Sequence, residues 1–244
     1  MEIIFTDTIG VNQDFKPTPA LTNLPSWYVE LESYIGAPRT PSIGSQTGQN
    51  GTAKRCMPMF DAITSGYIIY SFVDIYVSQK EQLHHDNIEK LPFFSWPSNN
   101  FQYVQIDPIQ FHSPEQLKTH FKNPNMLVPK FINPWAIKTP KGYSCFFLNP
   151  KERDLPFSIF EGVVDTDKFI APVNFPFVLK DPSFEGMIPA GTPLVQVFPF
   201  KRDKWKMILG KDKERKESAD VRTTLLSKFF DAYKSQFRQV KEYK

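Results

Sequence analysis

Cysteine is nearly absent from the 244 residues: Cys56 and Cys145 are the only two. Two thiols build no disulfide framework and lack the paired spacing of a metal site, which predicts reduced cysteines in a cytosolic product. No apolar run reaches the roughly 18 residues a membrane helix needs, so no membrane contact is expected. Met1-Glu2-Ile3-Ile4-Phe5-Thr6-Asp7 has neither a basic stretch nor a long apolar one, so no secretory signal is expected there. The glycine-containing passage from Ile43 to Gly51 is followed by Thr52-Ala53-Lys54, the wrong order for a phosphate-cradling loop, and it is expected to be a flexible polar linker. There are only four histidines. His84-His85-Asp86 with His112 or His120 has the bare form of a two-histidine, one-carboxylate iron site, but it sits in a polar stretch that reads as an exposed loop. No metal site is expected, and no His or Cys stands in a recognisable nucleophile setting.

What is abundant is proline and phenylalanine, 22 and 23 residues respectively. Proline fixes φ and removes a backbone donor, so its scatter argues against long helices before residue 200 and for short strands joined by ordered loops. The phenylalanines supply the core volume. The net charge of +3 hides a division: residues 1–200 carry 15 Lys and Arg against 19 Asp and Glu, whereas residues 201–244 carry 14 against 7. The body is acidic and the tail basic.

The organising stretch is Gly162 to Phe200. Val163-Val164 runs into Asp165-Thr166-Asp167, small polar residues that favour turns, and Lys168 to Val173 resumes an apolar pattern that predicts a second strand. Gly191 stands where a turn wants positive φ, and Leu194-Val195-Gln196-Val197-Phe198 then alternates as a third strand. Upstream, Leu24-Pro25-Ser26-Trp27-Tyr28 starts a short helix with Ser26 at its cap. A helical turn is expected over 58–64, ended by Gly66, followed by strands through Val77. Lys90 to Trp96 and Phe101 to Ile106 read as strands of an insertion spanning about 78–134, and Ser113-Pro114 opens a helix to Phe121. After Gly210, Val221, Leu225, Phe229, Tyr233, Phe237 and Val240 recur at spacings of four or three, with Leu226 and Phe230 widening the stripe. This predicts an amphipathic helix of about 24 residues. The expected divisions are an arm at 1–53, a β core at 54–200 with its insertion, and a basic helical segment at 201–244.

Two family resemblances attach to these motifs. Gly162-Val163-Val164-Asp165 and Gly191-Thr192-Pro193-Leu194-Val195-Gln196, with Thr139 to Ser144 upstream, resemble the dUTPase and dCTP-deaminase-like β fold over about a quarter of the chain. Cys56 to Val77, Trp135 to Tyr143, Gly162 to Asp167 and Pro199 to Trp205 are similar to a family of uncharacterised proteins of tailed bacteriophages, many of them marine, and of some bacteria. That second resemblance covers more than half the chain and implies a phage origin without importing an activity.

The first resemblance implies a site. The aspartate matching Asp165 positions and deprotonates the attacking water in that family, and the neighbouring Asp167, Phe169 and Gln196 fall where nucleotide contacts lie. Lys151 and Arg153 fall near the phosphate segment, with Mg²⁺ bridging the phosphates. Three positions depart from the family pattern: Lys168 intervenes before Phe169, no serine pair accompanies Asn149 to Arg153, and a basic helix replaces the glycine-rich C-terminal arm. Read from the residues alone, Asp165 caps a turn, and Lys138, Lys141, Lys151 and Arg153 decorate exposed strand faces.

These features predict a mainly β fold, a sandwich or distorted barrel of dUTPase-like character with a C-terminal amphipathic helix. The leading functional reading is a non-catalytic phage structural or accessory protein without cofactors, making assembly contacts through its arm and helix in the host cytoplasm or the virion. The competing reading is a Mg-dependent nucleoside triphosphate pyrophosphatase using Asp165, and a third is association with nucleic acid through the basic tail. A homo-oligomer is expected, by analogy a trimer, with other phage proteins as partners.

Overall fold

The computed structural model describes residues 1–11, 13–35, 50–84, 87–97, 106–113, 128–227 and 232–244. The expected strand from Phe101, the expected helix after Ser113, and most of the 43–51 linker lie outside these residues, as do His85, Asp86, His120, Phe229 and Phe230. The described chain is mainly β, every strand pair is antiparallel, and a helix stands near the C-terminus. It falls into two compact units, Met1–Asn23 with Gly66–Arg202, and Leu24–Ser65 with Asp203–Lys244. Among the described residues, no helix is long and apolar enough to cross a membrane.

The first unit is built on a five-stranded sheet ordered Gly162–Val164, Tyr143–Leu148, Pro193–Lys201, Tyr67–Tyr70 and Thr18–Pro19. A four-stranded sheet of Phe157–Ile159, Phe175–Leu179, Val128–Phe131 and Ile109–His112 shares its core. Phe147 of the first sheet meets Phe175 of the second at 5.8 Å between ring centroids. Phe131 stacks on Phe177 at 3.9 Å, and Phe157 and Phe94 meet the same Phe177 ring edge-on. Each such buried ring contributes about 2–3 kcal/mol from area alone, so the phenylalanines do the core-building that their number suggested. Ile75–His84 and Asn87–Ser95 form a long hairpin flanked by Gly186–Ile188, which pairs only with residues 75–77. Beyond that point the Glu185 carboxylate accepts the Gln79 N–H at 3.0 Å, giving this edge donor a partner.

The strand expected at Lys168–Val173 does not form. The Lys168 and Phe169 N–H groups both donate to the Asp165 carbonyl at 2.9 Å, which curls the chain into a turn, and Pro172 has no donor for a ladder. Gly162–Val164 pairs instead with Tyr143–Leu148, and the next strand begins at Phe175. Gly191 has the expected positive φ, +82°. Its N–H donates to Ser71 at 2.7 Å and Ser71 donates back to Thr192 at 2.8 Å, fixing this turn to the end of the Tyr67–Tyr70 strand. Gly66 ends the helix Met57–Thr64 as expected, at φ +79°, and a Cβ there would fall 2.1 Å from the Val197 carbonyl oxygen.

In the second unit, a short helix begins at Ser26, with Pro25 rather than Ser26 at its cap. Buried Tyr28 packs on Phe60 of the Met57–Thr64 helix at 6.2 Å. Asp61 on that helix accepts a two-pronged hydrogen bond from Arg238 and a further one from Lys241 at 2.8 Å. The Arg238 bond, more than the charge of Lys241, holds the Asp61 carboxyl below its ordinary range against the opposing effect of burial. The C-terminal helix covers Asp212–Ser227, and a short second helix covers Ala232–Gln236. Val221, Leu225 and Leu226 of the expected stripe are exposed.

Three substitutions test these contacts. Gly66→Ala should lower stability by about 3 kcal/mol or more, from left-handed strain plus backbone overlap. Gly142→Ala, at φ +87° with open space around it, should lose only about 1 kcal/mol; urea titration reads the difference. Asp61→Ala should free the Arg238 end of the chain, seen as faster amide exchange at residues 237–241 with exchange in the five-stranded sheet unchanged.

Candidate functional site

Asp165-Thr166-Asp167 leaves the edge strand Gly162–Val164 as a tight turn, with the Thr166 N–H donating to the Val164 carbonyl at 3.0 Å. Thr166 is buried, and its hydroxyl meets that of Thr139 at 2.7 Å and the Cys145 Sγ at 3.4 Å. Burial pushes the Cys145 thiol up to about 11, so it stays protonated and inert at neutral pH. With the middle residue turned inward, both flanking carboxylates reach Arg202, just past the end of the strand Pro193–Lys201 that lies beyond Tyr143–Leu148 in the sheet.

Arg202 fixes the geometry. Its backbone N–H donates to the Gly142 carbonyl at 2.9 Å, while its guanidinium grips both oxygens of Asp167 in a two-pronged pair. The same guanidinium contacts Asp165 Oδ1 at 2.9 Å and donates to Ser144 Oγ at 3.1 Å and to the Tyr143 carbonyl at 3.3 Å. Ser144 Oγ donates to Asp165 Oδ1 at 2.7 Å, and the Gly142 N–H donates to Asp167 Oδ2 at 2.8 Å. The Asp167 side chain is 3% exposed and that of Asp165 57%. The bond from Arg202, followed by that from the Gly142 N–H, draws the Asp167 carboxyl down to about 2. The Ser144 hydroxyl, followed by Arg202, lowers that of Asp165.

Lys151, Arg153 and Gln196 lie toward the far end of the same sheet. Tyr143 pairs with Lys201 near the aspartates, whereas Leu148 pairs with Gln196 at the opposite end, a separation of about 16 Å by strand rise. There the buried Gln196 side-chain amide oxygen accepts the Lys151 backbone N–H at 3.0 Å, and Lys151 Nζ stands 3.6 Å from Glu161. The Arg153 guanidinium donates to the Asn23 carbonyl, and burial, partly offset by Tyr70, lowers its pKa. Phe169 is exposed on the turn beyond Asp167. Lys138 and Lys141 are exposed. The chain thus gathers Asp165 with Asp167, and separately Lys151, Arg153 and Gln196, without bringing the two groups together. Sequence reading missed the partners that define the first group, Ser144, Gly142 and Arg202. Their only signal was position, at strand ends that the register later brings opposite one another.

A cation does not fit the aspartate pair as it stands. The guanidinium already occupies the space between the carboxylates, and both are engaged by its donors. Among the described residues, no group of three or more His, Cys, Asp or Glu side chains is placed to hold a metal ion.

No protein-family model and no curated protein matches the chain. Among solved structures it is similar to a mutant dUTPase from phage phi11 of S. aureus that coordinates a structural Mg(II) ion. The identity is 10%, the coverage 75% of this chain and 96% of that one, and the TM-score 0.30.

Because folding depresses the Asp167 pKa, its ionised form stabilises the fold above the unfolded carboxylate value near 3.9, and that contribution is lost as pH falls toward about 2. Thermal melts from pH 5 to 2 should show a steeper acid loss for the native chain than for Arg202→Gln, in which the carboxylate lacks its cation. Parallel acid limbs in the two proteins would remove the clasp from the stability of the fold.

Proposed function

We propose that the chain is a non-catalytic structural or accessory protein of a tailed bacteriophage that assembles with copies of itself and with other phage proteins through its N-terminal arm and C-terminal helical segment. The observation that carries this reading is the engagement of Asp165 by Arg202 and Ser144. A general base for water works best with a pKa near the operating pH, and here the carboxyl is held below its ordinary range. Its charge is offset by the Arg202 guanidinium. The cations suited to a triphosphate, Lys151 and Arg153, lie at the other end of the sheet. The phage setting rests on the sequence resemblance of the Cys56 to Val77, Trp135 to Tyr143, Gly162 to Asp167 and Pro199 to Trp205 blocks.

The second reading, a Mg-dependent nucleotide hydrolase, draws on the half-exposed Asp165 carboxylate and would need cations supplied by a neighbouring subunit. Pyrophosphate release from a panel of nucleoside triphosphates with Mg²⁺ separates the two. The expected result is no release above the protein-free blank and no thermal shift with any nucleotide. Turnover that Asp165→Ala abolishes would replace the assembly reading with the hydrolase one.

A further inference from the structure

Residues 203–211 have no regular secondary structure, yet Trp205, Met207, Ile208 and Leu209 are each between 77% and 90% exposed. Four large apolar side chains within five residues, left in water, are unfavourable for an isolated chain and mark a contact surface. Lys204, Lys206 and Lys211 flank them, within a segment whose 14 cations outnumber its 7 acids. Two such segments repel one another, whereas residues 1–200, with 19 acids against 15 cations, attract them.

On the acidic body, the five-stranded sheet offers a matching surface. Cys145, Phe147, Val195 and Val197 face the core, so the alternate residues Phe146 and Phe198 face outward. Val163 of the edge strand lies opposite Phe146. Val163 is 52% exposed and Phe146 37%, and the Phe146 ring packs on Phe200 at 4.5 Å. This strip is a short apolar face at one end of a sheet whose other face is buried.

We propose that the apolar segment Trp205 to Leu209 of one copy docks on the Val163, Phe146 and Phe200 strip of a second copy. The inference rests on the assembly reading above and names its partner. The contact is heterologous, tail to body, so it extends from copy to copy and closes into a ring when the rotation between copies permits. Apolar matching holds the segment in place, while opposite charge selects the body over a second tail.

Sedimentation velocity of the full chain at rising concentration tests it, beside Trp205→Ser/Ile208→Ser in the tail and Val163→Lys on the strip. The native chain should self-associate, and each variant should do so roughly tenfold more weakly or less while keeping the native melting temperature, since these side chains are exposed. Mixing the two variants should restore a 1:1 complex, because one brings an intact tail and the other an intact strip. A native chain that stays monomeric overturns the proposal, as does a mixture with no complex or a pair of variants that associate like the native chain. Nucleotide turnover in the pyrophosphate assay would instead overturn the assembly reading, whatever the sedimentation result.

Discussion

The strand Pro193–Lys201 is the constraint on which the β unit depends. It pairs with Tyr143–Leu148 through residues 196–201 on one side and with Tyr67–Tyr70 through residues 193–197 on the other, so it joins the two halves of the five-stranded sheet. Its Leu194, Val195 and Val197 side chains enter the core. Its Val197 carbonyl passes so close to Gly66 that no side chain fits there. At its end Arg202 closes on Asp165 and Asp167. Helix termination, core packing and the acidic turn are therefore set by where one strand runs.

That arrangement changes what an aspartate in a Gly-Val-Val-Asp motif signifies. The chemistry of a catalytic carboxylate lies in what surrounds it, and around Asp165 stand an arginine and a serine hydroxyl that favour the ionised form. Such groups make a carboxylate a firm structural anion and a weak base. One guanidinium bonds both carboxylates and so fixes the chain where it leaves the sheet.

Much of the fold was legible in the residues because it rests on local rules. Alternation in Leu194 to Phe198 marked a strand, Gly191 marked positive φ, Gly66 marked a helix end, and the excess of phenylalanine marked the core volume. The Lys168–Val173 strand was misread because apolar alternation does not reveal that Asp165 already captures the next two N–H groups. The aspartate pair was legible as a turn. Its meaning was not, since Arg202 lies 35 residues from Asp167 and only the register of Tyr143 with Lys201 brings them together. The β unit takes in Met1–Asn23 as well as Gly66–Arg202. The pairing of Thr18 and Pro19 with Ile68 and Tyr67 helps to tie the N-terminal residues to the sheet.

The same pairing makes the β unit discontinuous in the chain, with Leu24–Ser65 interposed between its two parts. Ile4 must find Lys138, and Tyr67 must find Val197, so the contacts that define the sheet close large loops. On a ribosome, the N-terminal strands emerge long before the strand that completes them, and the sheet cannot assemble until residues near 200 have left the exit tunnel. High contact order of this kind slows folding and leaves unpaired strands exposed in the interval. Expression yield should therefore depend on what shields those strands while translation continues.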